Sequence, residues 1–271
     1  YDLMVRFTLR SVGKSLFGNT MKNEELDKLG EAVSNIQEFI VRQIFQPYLI
    51  PWYRISGETK KYQKMRKEAD KIVIDYVNQR RKNGNKEWDF LQQILETPYK
   101  DTGQFMSDDQ VMIEILQLLI AGNETSSNAL SWTFYMLAKH PEHIEKIRTE
   151  VKDTFGEAEL NYAGLHKLKY TTNVLYETLR LYPPFWMIDR IAIEDDEVCG
   201  IKIPAGTLVA PYIYGVHRNP AFWKDPDSFD PSRFDKELSG KKHPFAHIPF
   251  GGGPRVCIGQ NMALMQILLV L

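Results

Sequence analysis

Apolar residues recur at helical spacing along most of the chain. Leu3, Phe7, Leu9, Leu16 and Phe17 predict a helix over residues 2–17, and Leu26, Leu29, Val33, Ile36, Phe39, Ile40 and Ile44 predict another over 24–46. Pro47 and Pro51 are expected to end the second. A long lysine-rich amphipathic helix is expected over 58–82, with Ile72, Val73, Tyr76 and Val77 on its buried side and Gly84 as its C-cap. A short helix over 88–95 leads into a polar turn. Ser107 then opens a further helix as N-cap, followed by the first-turn acids Asp108 and Asp109. This helix runs to about residue 138. Its stretch from 111 to 121 is apolar nearly all round, a pattern suited to the centre of a domain. Two more helices are expected, from Pro141 to about 155 and over 168–181, the latter stopped by Pro183-Pro184. The texture then changes. Residues 187–211 hold short β-branched pieces divided by Gly200 and by Pro204-Ala205-Gly206, which predicts a small β region. Residues 219–249 are rich in Pro, Asp and His and read as an ordered, meandering loop. No repeat or low-complexity segment is present.

At 271 residues the chain suits one large domain or two small ones, and it is taken as a single domain over 1–271. The formal net charge of −1 argues against a nucleic-acid partner. Cys199 and Cys257 are the two cysteines. So few exclude a disulfide scaffold and suit a reducing compartment, with Cys199 expected as a small apolar filler near a strand. No run is long enough to span a bilayer; the longest apolar stretches are 115–121 and 267–271. The chain starts in helical sequence without a methionine and stops inside an apolar run. It is therefore expected to be an internal piece of a longer protein, cytoplasmic or cytoplasm-facing, with any membrane anchor beyond the residues at hand.

The densest chemistry lies in Phe250-Gly251-Gly252-Gly253-Pro254-Arg255-Val256-Cys257-Ile258-Gly259. One cysteine sits in a glycine-rich loop that runs into an apolar, helix-like segment. A thiol there can be held as thiolate by the helix N-terminus and by Arg255 two residues away. The glycines let a flat cofactor approach the backbone, and Phe250 can shield the sulfur from water. These are the parts of a cysteine axial ligand to haem iron. The string resembles the haem-binding loop of the cytochrome P-450 superfamily, Phe-x-x-Gly-x-Arg-x-Cys-x-Gly. Phe250, Gly253, Arg255, Cys257 and Gly259 fill every fixed position.

Upstream, Ala121-Gly122-Asn123-Glu124-Thr125 interrupts the apolar central helix. A mid-helix glycine costs about 1 kcal/mol against alanine, and a buried acid–alcohol pair costs more unless satisfied. The segment resembles the family's oxygen-binding motif. There the small pair, here Ala121 and Gly122, makes room over the haem, and the acid and alcohol, here Glu124 and Thr125, relay protons. Glu177 and Arg180 share a helix face. With Leu181-Tyr182-Pro183-Pro184 after them and Pro231-Ser232-Arg233-Phe234 later, they resemble the family's Glu-x-x-Arg helix and its meander. The resemblance implies a buried structural network of Glu177, Arg180 and Arg233. His217 has no companion at ligand spacing and reads as a packing residue. Arg255 is implied to pair a haem propionate, with Arg190 as a possible helper.

The resemblance covers nearly the whole chain in order and implies a mainly α, P-450-like helical fold with a small β region, incomplete at both ends. It implies haem-thiolate monooxygenation with haem b (iron protoporphyrin IX) held by Cys257. One atom of dioxygen would enter a C–H bond and the other would leave as water. Electrons would come from a flavoprotein reductase, a ferredoxin or a fused domain. Leu118, Ala121 and Thr125, with Phe185, Trp186 and Met187, would line an apolar pocket for a lipophilic substrate. The alternatives are a peroxide-using enzyme on the same haem site, or a non-catalytic haem-thiolate sensor or carrier.

Overall fold

The computed structural model describes residues 1–83, 88–235 and 243–271. It is mainly α-helical with four short strands among the described residues. The chain divides into two compact units, Tyr1–Glu124 and Thr125–Leu271.

The first unit holds α1 (Asp2–Phe17), α2 (Asn23–Phe45), α3 (Ile50–Ile55), α4 (Glu58–Asn83), α5 (Phe90–Glu96) and the first half of α6 (Asp108–Lys139). Leu9, Val12, Leu16 and Phe17 of α1 are buried, as are Leu26, Leu29, Val33 and Phe39 of α2. Each such side chain contributes about 1.5–3 kcal/mol on burial. The two helices approach through a reciprocal pair of contacts. A Cβ on Gly13 would lie 2.4 Å from Leu26, and a Cβ on Gly30 would lie 2.4 Å from Leu9. Ala69, Val73 and Val77 form the buried stripe of α4, with Ile72 and Tyr76 half-buried at its edge. The expected C-cap, Gly84, lies outside the described residues.

Two local expectations change. The prolines after α2 do not only end it: Pro47 opens a 3₁₀ turn, Pro47–Leu49, and Pro51 sits in the first turn of α3. Proline is tolerated there because those N–H groups have no intrahelical acceptor. The helix expected from residue 88 begins at Phe90, because Asp89 caps it by accepting a hydrogen bond from the Gln92 N–H at 2.9 Å. Trp88 is left exposed.

Arg80 points from α4 toward that cap. Its Nη1 donates to Asp89 Oδ1 at 2.7 Å, with both side chains 4% exposed. Arg80 Nη2 donates to Thr20 Oγ1 at 3.2 Å. One buried ion pair thus ties α4 to the start of α5 and to the turn after α1.

The second unit holds the rest of α6, then α7 (Glu142–Phe155), α8 (Tyr162–Leu165), α9 (Lys169–Leu181), α10 (Ile213–Val216) and α11 (Gln260–Leu268). Its strands β1 (Arg190–Ile191), β2 (Asp196–Val198), β3 (Ile201–Ile203) and β4 (Leu208–Val209) form two antiparallel pairs. In the outer pair Arg190 faces Val209 and in the inner one Val198 faces Ile201. The inner turn is Cys199-Gly200, with φ of 51° and 80°. Two residues at positive φ match the twist of a tight hairpin. Cys199 is therefore an exposed turn residue and not the apolar filler expected from the sequence.

One core cluster joins Leu137 of α6, Ile147 of α7 and Val174 of α9. A second joins Phe155, Leu165 and Leu168, with Met265 and Leu268 of α11 packed against it. This second cluster fixes α11, and so fixes the loop that leads into it.

Candidate haem-binding and proton-relay residues

The cysteine loop is built by its glycines. Gly251 and Gly253 have φ of 75° and 71°, a region that L side chains rarely adopt. The Cys257 N–H donates to the Phe250 carbonyl at 2.9 Å and the Val256 N–H donates to the Gly253 carbonyl at 3.1 Å, so the loop folds back on itself. The chain then enters α11 through Gly259, its N-cap, which gives no side-chain cap to the first N–H groups. A Cβ on Gly259 would lie 3.9 Å from Cys257 Sγ. Ile188 and Phe245 flank the loop, at 3.7 Å from a Cβ on Gly251 and 2.9 Å from one on Gly252.

Cys257 and Arg255 are exposed. Phe250 is half-buried and its carbonyl closes the loop. A soft sulfur donor before an uncapped helix N-terminus, a guanidinium two residues away, and positive-φ glycines between them fit a thiolate-ligated haem. Phe185, Trp186 and Met187 are also exposed apolar side chains, and the Trp186 carbonyl accepts from the Tyr214 N–H at 3.1 Å. Arg190, the suggested helper, is exposed and donates to the neighbouring Asp189 carbonyl at 2.7 Å.

Glu177, Arg180 and Arg233 come together. Arg180 Nε and Nη2 donate to the two Glu177 carboxylate oxygens at 2.7 Å each, with both side chains fully buried. Arg233 Nε lies 3.3 Å from Glu177 Oε1, which also accepts from the Asp230 N–H at 2.9 Å. The remaining Arg180 donors reach the carbonyls of His217, Pro226 and Ser228 at 2.6–3.0 Å. Arg233 Nη2 donates to the Asp225 carbonyl at 2.9 Å and to Ser228 Oγ at 2.8 Å. Trp223 lies under the Arg180 guanidinium, 5.0 Å away. The network fastens α9 to the meander between residues 217 and 233.

His217 is buried beside it. Its Nε2 accepts from the Ile248 N–H at 2.9 Å, which places the ring proton on Nδ1. Burial, first of all, pushes this imidazole down to about 4, and the nearby Arg180 charge adds to the shift. A neutral histidine joining α10 to the residues before the cysteine loop is a packing residue.

On α6 the structure alters the sequence picture. Val111, Ile115 and Leu119 are buried, four residues apart on one face, whereas Ile113, Gln117 and Ala121 are exposed and Leu118 is half-buried. The apolar run is thus buried along one stripe, not all round. Glu124 is exposed and its Oε2 accepts from Gln37 Nε2 at 2.9 Å, so the cost expected for a buried acid does not arise. Thr125 is half-buried. The small residue at Gly122 has a packing role: a Cβ there would lie 3.0 Å from Val12 Cγ2. Beside it, Thr8 Oγ1 donates to Asn123 Oδ1 at 2.7 Å. Neither contact was visible in the sequence, because the partners lie more than a hundred residues apart.

A groove of about 720 Å³ lies elsewhere, lined by Glu145, Thr149, Glu150, Asp153, Lys167 and Tyr170 among others. Its lining is charged and includes none of the candidate pocket residues. No helix among the described residues is long and apolar enough to cross a membrane.

The family model described as Cytochrome P450 matches residues 1–271. Among curated proteins the chain is similar to cyclooctat-9-en-7-ol 5-monooxygenase of Streptomyces melanosporofaciens, at 28% identity over 99% of this chain and 59% of that one. Among solved structures it is similar to the cytochrome P450DA heme domain, with a TM-score of 0.89, 28% identity, and coverage of 99% of this chain and 59% of that one. It is also similar to a retinoic acid-bound cyanobacterial CYP120A1, with a TM-score of 0.86, 30% identity, and coverage of 100% and 60%. The chain thus spans about three fifths of the length of these relatives.

Proposed function

The chain belongs to the cytochrome P450 family, and from that premise we propose that the whole protein is a haem-thiolate monooxygenase acting on a lipophilic organic substrate. The observation that carries this reading is the Cys257 loop, an accessible thiol between positive-φ glycines and the uncapped start of α11. The cofactor is haem b, which when bound supplies oxygen activation, and its electrons come from a flavoprotein reductase or a ferredoxin.

The residues of this chain hold and steer that chemistry. Cys257 would hold the iron through its thiolate sulfur. Arg255 would neutralise a propionate, a task suited to its planar fork. Gly253, at positive φ, and Gly259 would let the cofactor approach the backbone. Glu124 and Thr125 would form the proton route: the Glu124 carboxylate, exposed and bonded to Gln37, would face solvent, and the Thr125 hydroxyl would hold a proton-carrying water. Phe185, Trp186 and Met187 contribute apolar surface for the substrate. Two relatives support a lipophilic ligand: one is named for cyclooctat-9-en-7-ol and the other was solved with retinoic acid.

The test is turnover by full-length protein with a reductase, NAD(P)H and dioxygen over a panel of fatty acids, terpenoids and steroids. The proposal requires an oxygenated product carrying one atom of labelled dioxygen. Haem binding without turnover of any panel member would favour the sensor or carrier reading. Turnover with peroxide alone would favour the peroxide-using enzyme.

A further inference from the structure

The corner between α6 and α7 gathers three metal-ligating side chains that the haem chemistry does not use. His140 follows the last residue of α6, Pro141 is the N-cap of α7, and Glu142 and His143 are its first two residues. One donor atom from each of His140, Glu142 and His143 lies within 4.8 Å of the other two. His140 Nδ1 is 3.6 Å and His143 Nε2 is 3.8 Å from the same oxygen, Glu142 Oε1. Donors around a tetrahedral zinc stand about 3.3 Å apart, given bonds of about 2.0–2.1 Å. The two distances to Glu142 Oε1 need a contraction of only about 0.3–0.5 Å to reach that value, and the two histidine donors, within 4.8 Å of each other, would close in as the ion binds.

From this geometry we propose that His140, Glu142 and His143 form a divalent-cation site for zinc or a similar imidazole-preferring ion, with water completing the coordination. Two imidazoles and one carboxylate are a set that zinc takes with an open fourth position.

The surroundings orient the ligands. The Tyr170 hydroxyl is hydrogen-bonded to His143 Nδ1, which leaves Nε2 as the metal-facing nitrogen. A bond to the second ring nitrogen is the usual way a protein fixes a ligating histidine. Phe229 packs against both rings, stacked on His140 at 5.2 Å and edge-on to His143 at 5.3 Å. The His143 N–H donates to the His140 carbonyl at 3.1 Å, so the corner is closed by its own backbone. Burial holds the His143 imidazole below its ordinary value, which favours the neutral, ligating form. The Asp230 carboxylate adds negative potential at His143, and Lys146 opposes it. A bound ion would pin the end of α6 to the start of α7.

The experiment is zinc titration of the full-length, haem-loaded, chelator-treated protein against a chromophoric zinc indicator, with melting temperature read in parallel. One zinc per chain is expected, with a rise in melting temperature when zinc is present. Glu142→Gln and His140→Gln should each weaken binding by at least about tenfold, and Tyr170→Phe by about tenfold through loss of the orienting bond. Glu142 is 61% exposed at its side chain, so its variant keeps the fold. Cys199→Ser and His166→Gln should leave affinity unchanged. Absence of zinc uptake would overturn the proposal. So would affinity unaltered in the Glu142→Gln, His140→Gln double variant, or affinity lost in Cys199→Ser.

Discussion

Arg180 grips Glu177 through two parallel hydrogen bonds of 2.7 Å, and neither side chain has any solvent exposure. Bidentate geometry matches the guanidinium fork to the carboxylate, and five donors leave enough for the His217, Pro226 and Ser228 carbonyls. A lysine cannot reproduce this pattern.

Removing one member of the network therefore strands a buried charge. Glu177→Ala is expected to cost about 3–5 kcal/mol and to give little folded, haem-loaded protein. Arg180→Lys should be nearly as damaging, because the carbonyls it serves lose their donors. Chemical denaturation and haem content per chain are the measurements. An unchanged midpoint in Glu177→Ala would mean that the network adds nothing to stability.

The pairing of Glu177 with Arg180 was legible because three residues make one helix face, and Arg233 because of the motif order around it. The long helices were legible for a similar reason: α1, α2, α4, α6, α7 and α9 each show several turns of apolar period. The short helices α3 and α8, six and four residues long, show too little period to read. The Arg80–Asp89 pair is not legible in the sequence, because an arginine in a lysine-rich helix reads as solvated when its partner lies outside that helix. Cys199 misled because a cysteine beside β-branched residues suggests burial, whereas the hairpin needed a two-residue turn there.

His217 makes stability depend on acidity. The unfolded imidazole protonates near its ordinary value of 6.5, and the folded one only at about 4. Between these values the unfolded state binds more protons, so stability is full above about pH 6.5 and falls as pH drops toward 4. The loss should approach about 3 kcal/mol at the lower limit. His217→Gln, which can still accept from the Ile248 N–H, should flatten this part of the profile. Urea midpoints at pH 7 and pH 4.5 in both proteins measure it, and equal slopes would remove His217 from the acid response.

Cys257→Ser in the full-length protein should abolish the long-wavelength Soret band that thiolate ligation gives the reduced, carbon-monoxide-bound form. Cys199→Ser should retain it, since Cys199 sits at the tip of the β2–β3 turn. A normal band in the Cys257 variant would disprove ligation by this residue.

Thr125→Ala is expected to uncouple the enzyme without unfolding it. Thr125 is half-buried, so removing its hydroxyl leaves no large cavity in the core. NAD(P)H should still be consumed, with less product formed per equivalent and more hydrogen peroxide released, because the proton route loses its hydroxyl. Product and peroxide assayed side by side decide the matter. Unchanged coupling would leave Thr125 as an ordinary helix threonine.

The contacts of α1 with α6 have a consequence for engineering and for natural variation. Val12 rests on Gly122, and Thr8 holds Asn123, one residue before Glu124. The backbone that presents the acid is therefore steered from behind, by a helix with no assigned part in the chemistry. Trimming Val12, or bulking Gly122, is expected to act as a remote trim-tab on the proposed proton route. Drift in catalytic behaviour among close variants should be sought in α1 as well as among the residues that meet the substrate.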